Sequence, residues 1–230
     1  MAKLKWDEVG EREYETGVDH VVLYPMTDAG TYGDGVAWNG VTQIDKSPSG
    51  GDSSPLYADN IEYLNLQSAE KHSGTINAYM FPDEFAACDG SAELVEAFDG
   101  ITVGQQPRKS FGLCYRSLKG NDTKGEDYGY KLYIVYGCKA SPSSKSHSTV
   151  NESPEAVSMS WTYNSTPVPI PGHKPSAVIT IDSTKVNDAF LRALEDYIYG
   201  SDGESKSSAK IPLPDKIIEI AKANQAGTGA

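Results

Sequence analysis

The 230-residue chain carries a formal charge of −12, with 32 Asp and Glu against 20 Lys and Arg. That balance excludes a nucleic-acid grip built on phosphate contacts, and it excludes an anionic membrane surface as partner. The length allows one large domain with a full core. The 14 Tyr against 5 Phe predict half-wet surfaces or interfaces, where a phenol buries its ring and keeps its hydroxyl in water.

The excess acid lies in residues 1–200. From Ser201 onward, Asp202, Glu204, Asp215 and Glu219 balance Lys206, Lys210, Lys216 and Lys222. Met1–Trp6 runs straight into acidic residues with no apolar stretch behind it, so neither a signal peptide nor a membrane helix is expected. Cys88, Cys114 and Cys138 are odd in number and lack CxxC spacing, which predicts reduced thiols.

Residues 1–15 are charged around an isolated Trp6 and predict an arm that orders against a neighbouring chain. Val18–Tyr24 reads as a first strand, stopped by Pro25, and Thr27–Gly35 as turns. Val36–Ile44 holds Asn39-Gly40, which fits a two-residue hairpin turn or a bulge at Gly40 equally well. Asp45–Pro55 has two prolines and no apolar anchor, so it predicts a mobile, exposed loop. Tyr57–Gln67 alternates like a strand, and with Val36–Ile44 it would make a long hairpin around that loop. His72–Phe81 reads as the next strand.

Pro82–Gly90 predicts a short helix, with Pro82 first, acids in the first turn and a glycine stop. Ser91–Phe98 fits a further helical turn. Phe111–Ala140 is the central hairpin. Phe111, Leu113 and Tyr115 share one face of the first arm; Tyr128, Tyr130, Leu132, Ile134 and Tyr136 share one face of the second. The opposite face carries Lys131 beside Val135, which predicts partial cover, and Leu118–Asp127 is read as the loop between the arms.

Ser141–Pro154 reads as loop, Ala156–Tyr163 as a half-buried strand, Thr166–Pro175 as an irregular crossing and Ala177–Ile181 as a last strand. Val186, Ala189, Phe190, Ala193, Leu194, Tyr197 and Ile198 repeat with helical period, with Asp182 as cap and Gly200 as stop. Ser201–Lys210 predicts a flexible linker, followed by a short apolar-faced segment from Ile211.

Chemistry-bearing patterns are sparse. His20, His72, His147 and His173 are scattered, with no HExxH or other ligand spacing, and Asn121–Asp127 lacks the acidic ligands of a calcium loop. Gly33-Asp-Gly35 is not followed by a helix, and no Gly-x-Ser-x-Gly elbow occurs. No cofactor or metal is implied, and a non-enzymatic chain is expected.

Several stretches together resemble one family. They are Tyr32-Gly-Asp-Gly-Val-Ala-Trp-Asn-Gly-Val41, Ala58-Asp-Asn-Ile-Glu-Tyr-Leu64, Phe81-Pro-Asp-Glu-Phe-Ala-Ala-Cys-Asp-Gly90, Gly104-Gln-Gln-Pro-Arg-Lys-Ser-Phe-Gly-Leu113, Tyr128-Gly-Tyr-Lys-Leu132, Thr149-Val-Asn-Glu-Ser-Pro-Glu155 and Leu213-Pro-Asp-Lys-Ile-Ile218. In that order they resemble the major tail proteins of long, non-contractile-tailed phages. The resemblance implies a mainly β fold, two packed antiparallel sheets with a flanking α-helix, and hexameric rings of the same chain stacked into a tail tube. It implies a virion location, DNA passing through the lumen without specific binding, and tape measure, terminator and initiator proteins as further partners.

On this reading residues 1–15 are an arm, 16–200 the tube domain and 201–230 a linker and extension. Lys46, Ser47, Pro48, Ser49, Gly50, Gly51, Asp52, Ser53 and Ser54 form an inter-subunit loop that orders on assembly. Glu62, Glu126 and Asp127 are nominated as lumen-facing acids that repel DNA. The competing reading is a carbohydrate-binding β-sandwich of a host-adhesion device, with Trp38 and Trp161 as sugar platforms; a wall-degrading hydrolase would need a carboxylate or His site that the sequence does not place.

Overall fold

The computed structural model describes residues 3–95, 100–143, 145, 147, 149, 156–202 and 207–225. In chain order its elements are β1 (Glu13–Pro25), β2 (Val36–Ala37), β3 (Val41–Lys46), β4 (Ser53–Ala58), β5 (Ile61–Gln67), β6 (Ser73–Ala78), a 3-10 turn (Asp83–Phe85), α1 (Ala86–Asp89), β7 (Ala92–Glu93) and β8 (Thr102–Val103). Then come β9 (Phe111–Asn121), β10 (Gly125–Ala140), β11 (Met159–Asn164), β12 (Val168–Ile170), β13 (His173–Ser176), β14 (Val178–Asp182), α2 (Asp188–Tyr199) and α3 (Pro214–Ala223).

One antiparallel sheet runs β2-β1-β9-β10-β11-β6-β3, with β14 also paired to β10. β10 spans 16 residues and serves two layers. Lys131–Val135 pair with β14, and Gly125–Cys138 with β9, while Lys139 and Ala140 pass to β11. The register slips between Val135 and Cys138, where Gly137 takes φ +59°, so the strand bends into the second layer at that bulge.

The two layers close face to face on Leu23, Ile76, Phe111, Leu113, Val135 and Trp161, with Trp38 and Phe85 capping the cluster. Trp38, Phe81, Phe85, Phe111 and Trp161 meet mostly edge to face, the arrangement that ring quadrupoles favour. The outer face of the first layer carries Val22, Cys114, Leu132, Ile134 and Tyr136, and it is covered by Phe190, Leu194 and Ile198 of α2 and Ile220 of α3. This is a mainly β, three-layer arrangement of two antiparallel sheets with helices on one side.

Alternation therefore reads correctly in β10, but its second face is not half-covered: Tyr133 and Val135 are buried against the second sheet, and Lys131 alone reaches the rim. The turn between β9 and β10 is also tighter than its composition predicts. Lys119, Gly120 and Asn121 stay in the ladder opposite Glu13–Glu15. Lys119 is paired with Glu13 at 2.9 Å and Asp182 at 3.2 Å, so burial costs it little.

Asn39-Gly40 is neither a hairpin turn nor a bulge. It carries the chain from β2, paired to β1, to β3, paired to β6. Ala92–Glu93 pairs with Thr102–Val103 in place of a helical turn, with residues 96–99 outside the described set. Thr166–Pro175 contains the β12–β13 hairpin. Asp182 does not cap α2: Asn187 does, accepting from the Phe190 amide at 2.8 Å, and Asp182 is taken by Lys119 and Thr184.

The C-terminal segment packs rather than trailing as a linker. The Gly35 amide donates to the Ala209 carbonyl, Lys210 N–H donates to Tyr197 O, and Ile211 is buried over Gly112. Many of the tyrosines serve these joints instead of a wet surface. Tyr24 donates to Ile198 O and Tyr136 to Pro212 O, both at 2.7 Å, tying sheet to helix layer.

Candidate assembly surface

β3 and β6 form a ladder from Val41↔Ala78 to Lys46↔Gly74. Beyond it the same two chains continue together as β4 and β5. Between them Ser49 and Lys71 exchange backbone bonds of 2.9 and 2.7 Å, and Ser68 N–H donates to Asp52 O. Gly50, at φ +83°, sits where a Cβ would lie 2.3 Å from the Ala69 carbonyl, so the pinch between the two halves requires glycine.

The tip is Asp59-Asn60, at φ +51° and +64°. Both residues are left-handed, as in the tight turn that matches strand twist, and Asp and Asn are the side chains that best tolerate it.

Every residue of β4 and β5 is exposed. Ser54 opposes Leu66 and Leu56 opposes Leu64, and directly paired residues share a face. One side of the ribbon is thus a leucine stripe: Leu56, Leu64 and Leu66 are 46, 47 and 50% exposed. A two-stranded ribbon is only marginally stable alone in water, and this one has an apolar face without cover in the single chain.

The expected inter-subunit loop is placed differently from its sequence reading. Lys46 closes β3 and holds its ammonium 3.2 Å over the Tyr133 ring, where desolvation lowers its pKa. Ser47, Pro48, Ser49, Gly50, Gly51 and Asp52 form the pinched connection, and Ser53 and Ser54 already belong to β4. The segment is ordered by backbone pairing to 68–73 rather than by apolar anchors. Glu62 lies on the projecting hairpin, where it accepts from Asn65 at 3.3 Å; Glu126 and Asp127 are exposed at the start of β10. Because Lys46 meets Tyr133 and Glu15 lies in the same cleft, hairpin and β9–β10 turn leave the domain at one end.

A second projection starts there. Segment 3–12 precedes β1 and is held to the β9–β10 turn: Gly10 N–H donates to Asp122 Oδ1 at 2.9 Å and Asn121 Nδ2 donates to Gly10 O at 3.1 Å. It carries Leu4, Trp6 and Val9 into solvent. The first half of β1 is fixed mainly by charge. Asp19 pairs with Arg116 at 2.9 Å, and Glu15 accepts from Lys131, Ser117 and Tyr133 at 2.5–2.6 Å. Partial burial alone would push the Glu15 carboxyl up, but those three donors hold it down at about 2.

The opposite end of the β3–β6 ladder is apolar too. Tyr79 and Met80 are exposed where β6 ends, and Leu94, Val95, Ile101 and Val103 are exposed around β7 and β8.

Nothing comparable suggests chemistry. Burial raises all three thiols, Cys88 to about 12, which removes the thiolate a nucleophile needs. Among the described residues no cluster of His, Cys, Asp or Glu is placed to hold a metal. Trp38 and Trp161 are core residues, so the sugar platforms of the competing reading are absent; Trp6 is the tryptophan that faces solvent.

The hairpin was legible only in part. Its missed signal is Asp59-Asn60 between Leu56-Tyr-Ala and Ile-Glu-Tyr63, a left-handed pair flanked by strand formers.

No family model matches the chain, and no curated protein matches it. Among solved structures it is similar to a chain of the anti-feeding prophage baseplate, with 7% identity over 80% of this chain and 100% of that one and a TM-score of 0.37. It is also similar to a chain of the PVC sheath–tube complex of an extracellular contractile injection system in its extended state, with 15% identity over 74% and 93% and a TM-score of 0.31. Both scores are low, and the functional reading rests on the surface described above and on the sequence resemblance.

Proposed function

We propose that the chain is a structural, non-enzymatic subunit of a phage-type tail tube, built by head-to-tail self-association into stacked hexameric rings. The observation that carries this is the Ser53–Gln67 hairpin, wholly exposed, with three leucines on one face. Burying the remaining half of three leucine side chains is worth about 3 kcal/mol per hairpin, or roughly a hundredfold in association. The apolar residues at the far end of the same ladder differ from those of the hairpin, so a contact between them is heterologous. Heterologous contacts generate rings or filaments rather than closed dimers. The resemblance to major tail proteins supplies the ring number and the DNA conduit.

Glu62, Glu126 and Asp127 stand at one end of the subunit, available to line a lumen with negative charge. Within about 8 Å at physiological salt, such a lining repels DNA instead of gripping it.

The test is the triple variant Leu56→Ser, Leu64→Ser, Leu66→Ser, followed by sedimentation and negative-stain microscopy. Tubes or rings of the unaltered chain should appear with rising concentration and vanish in the variant, with the thermal midpoint of the monomer unchanged. A chain that stays monomeric at every concentration, or a variant that still forms normal tubes, contradicts the reading.

A further inference from the structure

Resting on the self-assembly reading, we infer that Trp6 is an anchor that seats in the cleft between the 31–33 turn and α3 of a second copy. Trp6 is 74% exposed, and Leu4 and Val9 beside it are equally bare. Large aromatic side chains at that exposure are the residues that dominate interfaces once covered.

The cleft has a volume of about 390 Å³ and an apolar floor of Tyr32, Tyr197, Ile211 and Leu213. Leu213 is itself 46% exposed. Its rim holds Lys210 and Asp215, which form no ion pair among the described residues. The arm presents Lys3 and Asp7 on either side of Trp6, likewise without an ion pair among the described residues. Two opposite charges therefore flank the anchor and two flank the cleft. The cleft beside α1 is rimmed by Asp83, Glu84 and Glu93 and would repel Asp7 and Glu8.

A chain cannot fill its own cleft. The arm is pinned at Gly10 to the Asn121 end of β9, and four residues reach at most about 14 Å. The cleft adjoins Gly112, covered by Ile211 and Tyr32, nine residues along β9 and so about 30 Å away. The occupant is the arm of another copy, and the contact runs head to tail.

Trp38 and Trp161 are buried, so iodide reads Trp6. With the full chain, iodide quenching is followed as concentration is raised through assembly, itself scored by sedimentation. Trp6 should lose accessibility as rings form, and Trp6→Ala should raise the critical concentration about thirtyfold. Asp7→Lys and Lys210→Glu should each raise it by about threefold, and the two together should restore it.

Assembled protein in which Trp6 stays as quenchable as in the monomer overturns the inference and leaves self-assembly standing. A protected Trp6 without rescue by the charge swap overturns the assignment to this cleft. A chain that never assembles overturns both the inference and the reading it rests on.

Discussion

Glu15 is the side chain whose removal should loosen the N-terminal half of β1 with the least disturbance to the core. Its carboxylate takes hydrogen bonds from Lys131, Ser117 and Tyr133, and those bonds outweigh partial burial to set its pKa at about 2 against an ordinary 4.5. A depressed carboxyl contributes stability that is present above the unfolded value and is lost as pH falls from about 4.5 through about 2. At 1.36 kcal/mol per unit the shift would give about 3 kcal/mol, but the side chain is about one-third exposed and solvent screening reduces that to roughly 1–2 kcal/mol.

Glu15→Gln should then lower stability by about that amount at pH 7, a fall of ~2–8 °C in Tm for a domain of this size, and should flatten the acid limb of the pH–stability curve. Amide exchange should accelerate first at Glu13–Gly17, which is held to Leu118–Asn121 by backbone pairs and these charges. Calorimetry from pH 2 to 7 with exchange at pH 7 reads both. An acid limb unchanged in the variant, or faster exchange spread evenly over β9 and β10, would show that Glu15 does not clamp the strand.

The helix layer offers two further tests. Gly112→Ala places a Cβ 2.4 Å from Ile211 Cδ1, so it should cost about 1–3 kcal/mol by overpacking, and limited proteolysis should then release the segment carrying α3. Asn187→Ala removes the cap on the Phe190 amide and should cost about 1 kcal/mol, with Asn187→Asp retaining most of it; thermal melts of the three proteins decide this. For the lumen, Glu62→Lys, Glu126→Lys and Asp127→Lys combined should make assembled tubes retain duplex DNA at low salt and release it as salt rises. Retention that does not differ from the unaltered tube would place these acids elsewhere.

What could be read from the sequence depended on where each element finds its partner. β9, β10 and β11 show their alternation because both faces, or one clean face, are covered inside the chain, and the helix at 188–199 shows its period because the sheet lies under it. The residues that misled are those whose cover is distant. Lys119 and Asn121 look like loop until Glu13, Asp182 and Gly10 arrive from far along the chain to satisfy them. Ile211 gives no period because it fills a hole made by the absence of a side chain at Gly112.

The same logic points outward at Leu56, Leu64, Leu66, Trp6 and Leu213. Each is an apolar side chain on an ordered backbone, and nothing described in the chain covers it. A ribbon of thirteen paired residues in Ser53–Ala58 and Ile61–Gln67 carries entropy costs that its own contacts barely offset. Its leucine face gains stability only where other apolar surface meets it. The chain supplies such surface at its far end, out of its own reach, and a second copy brings the two together.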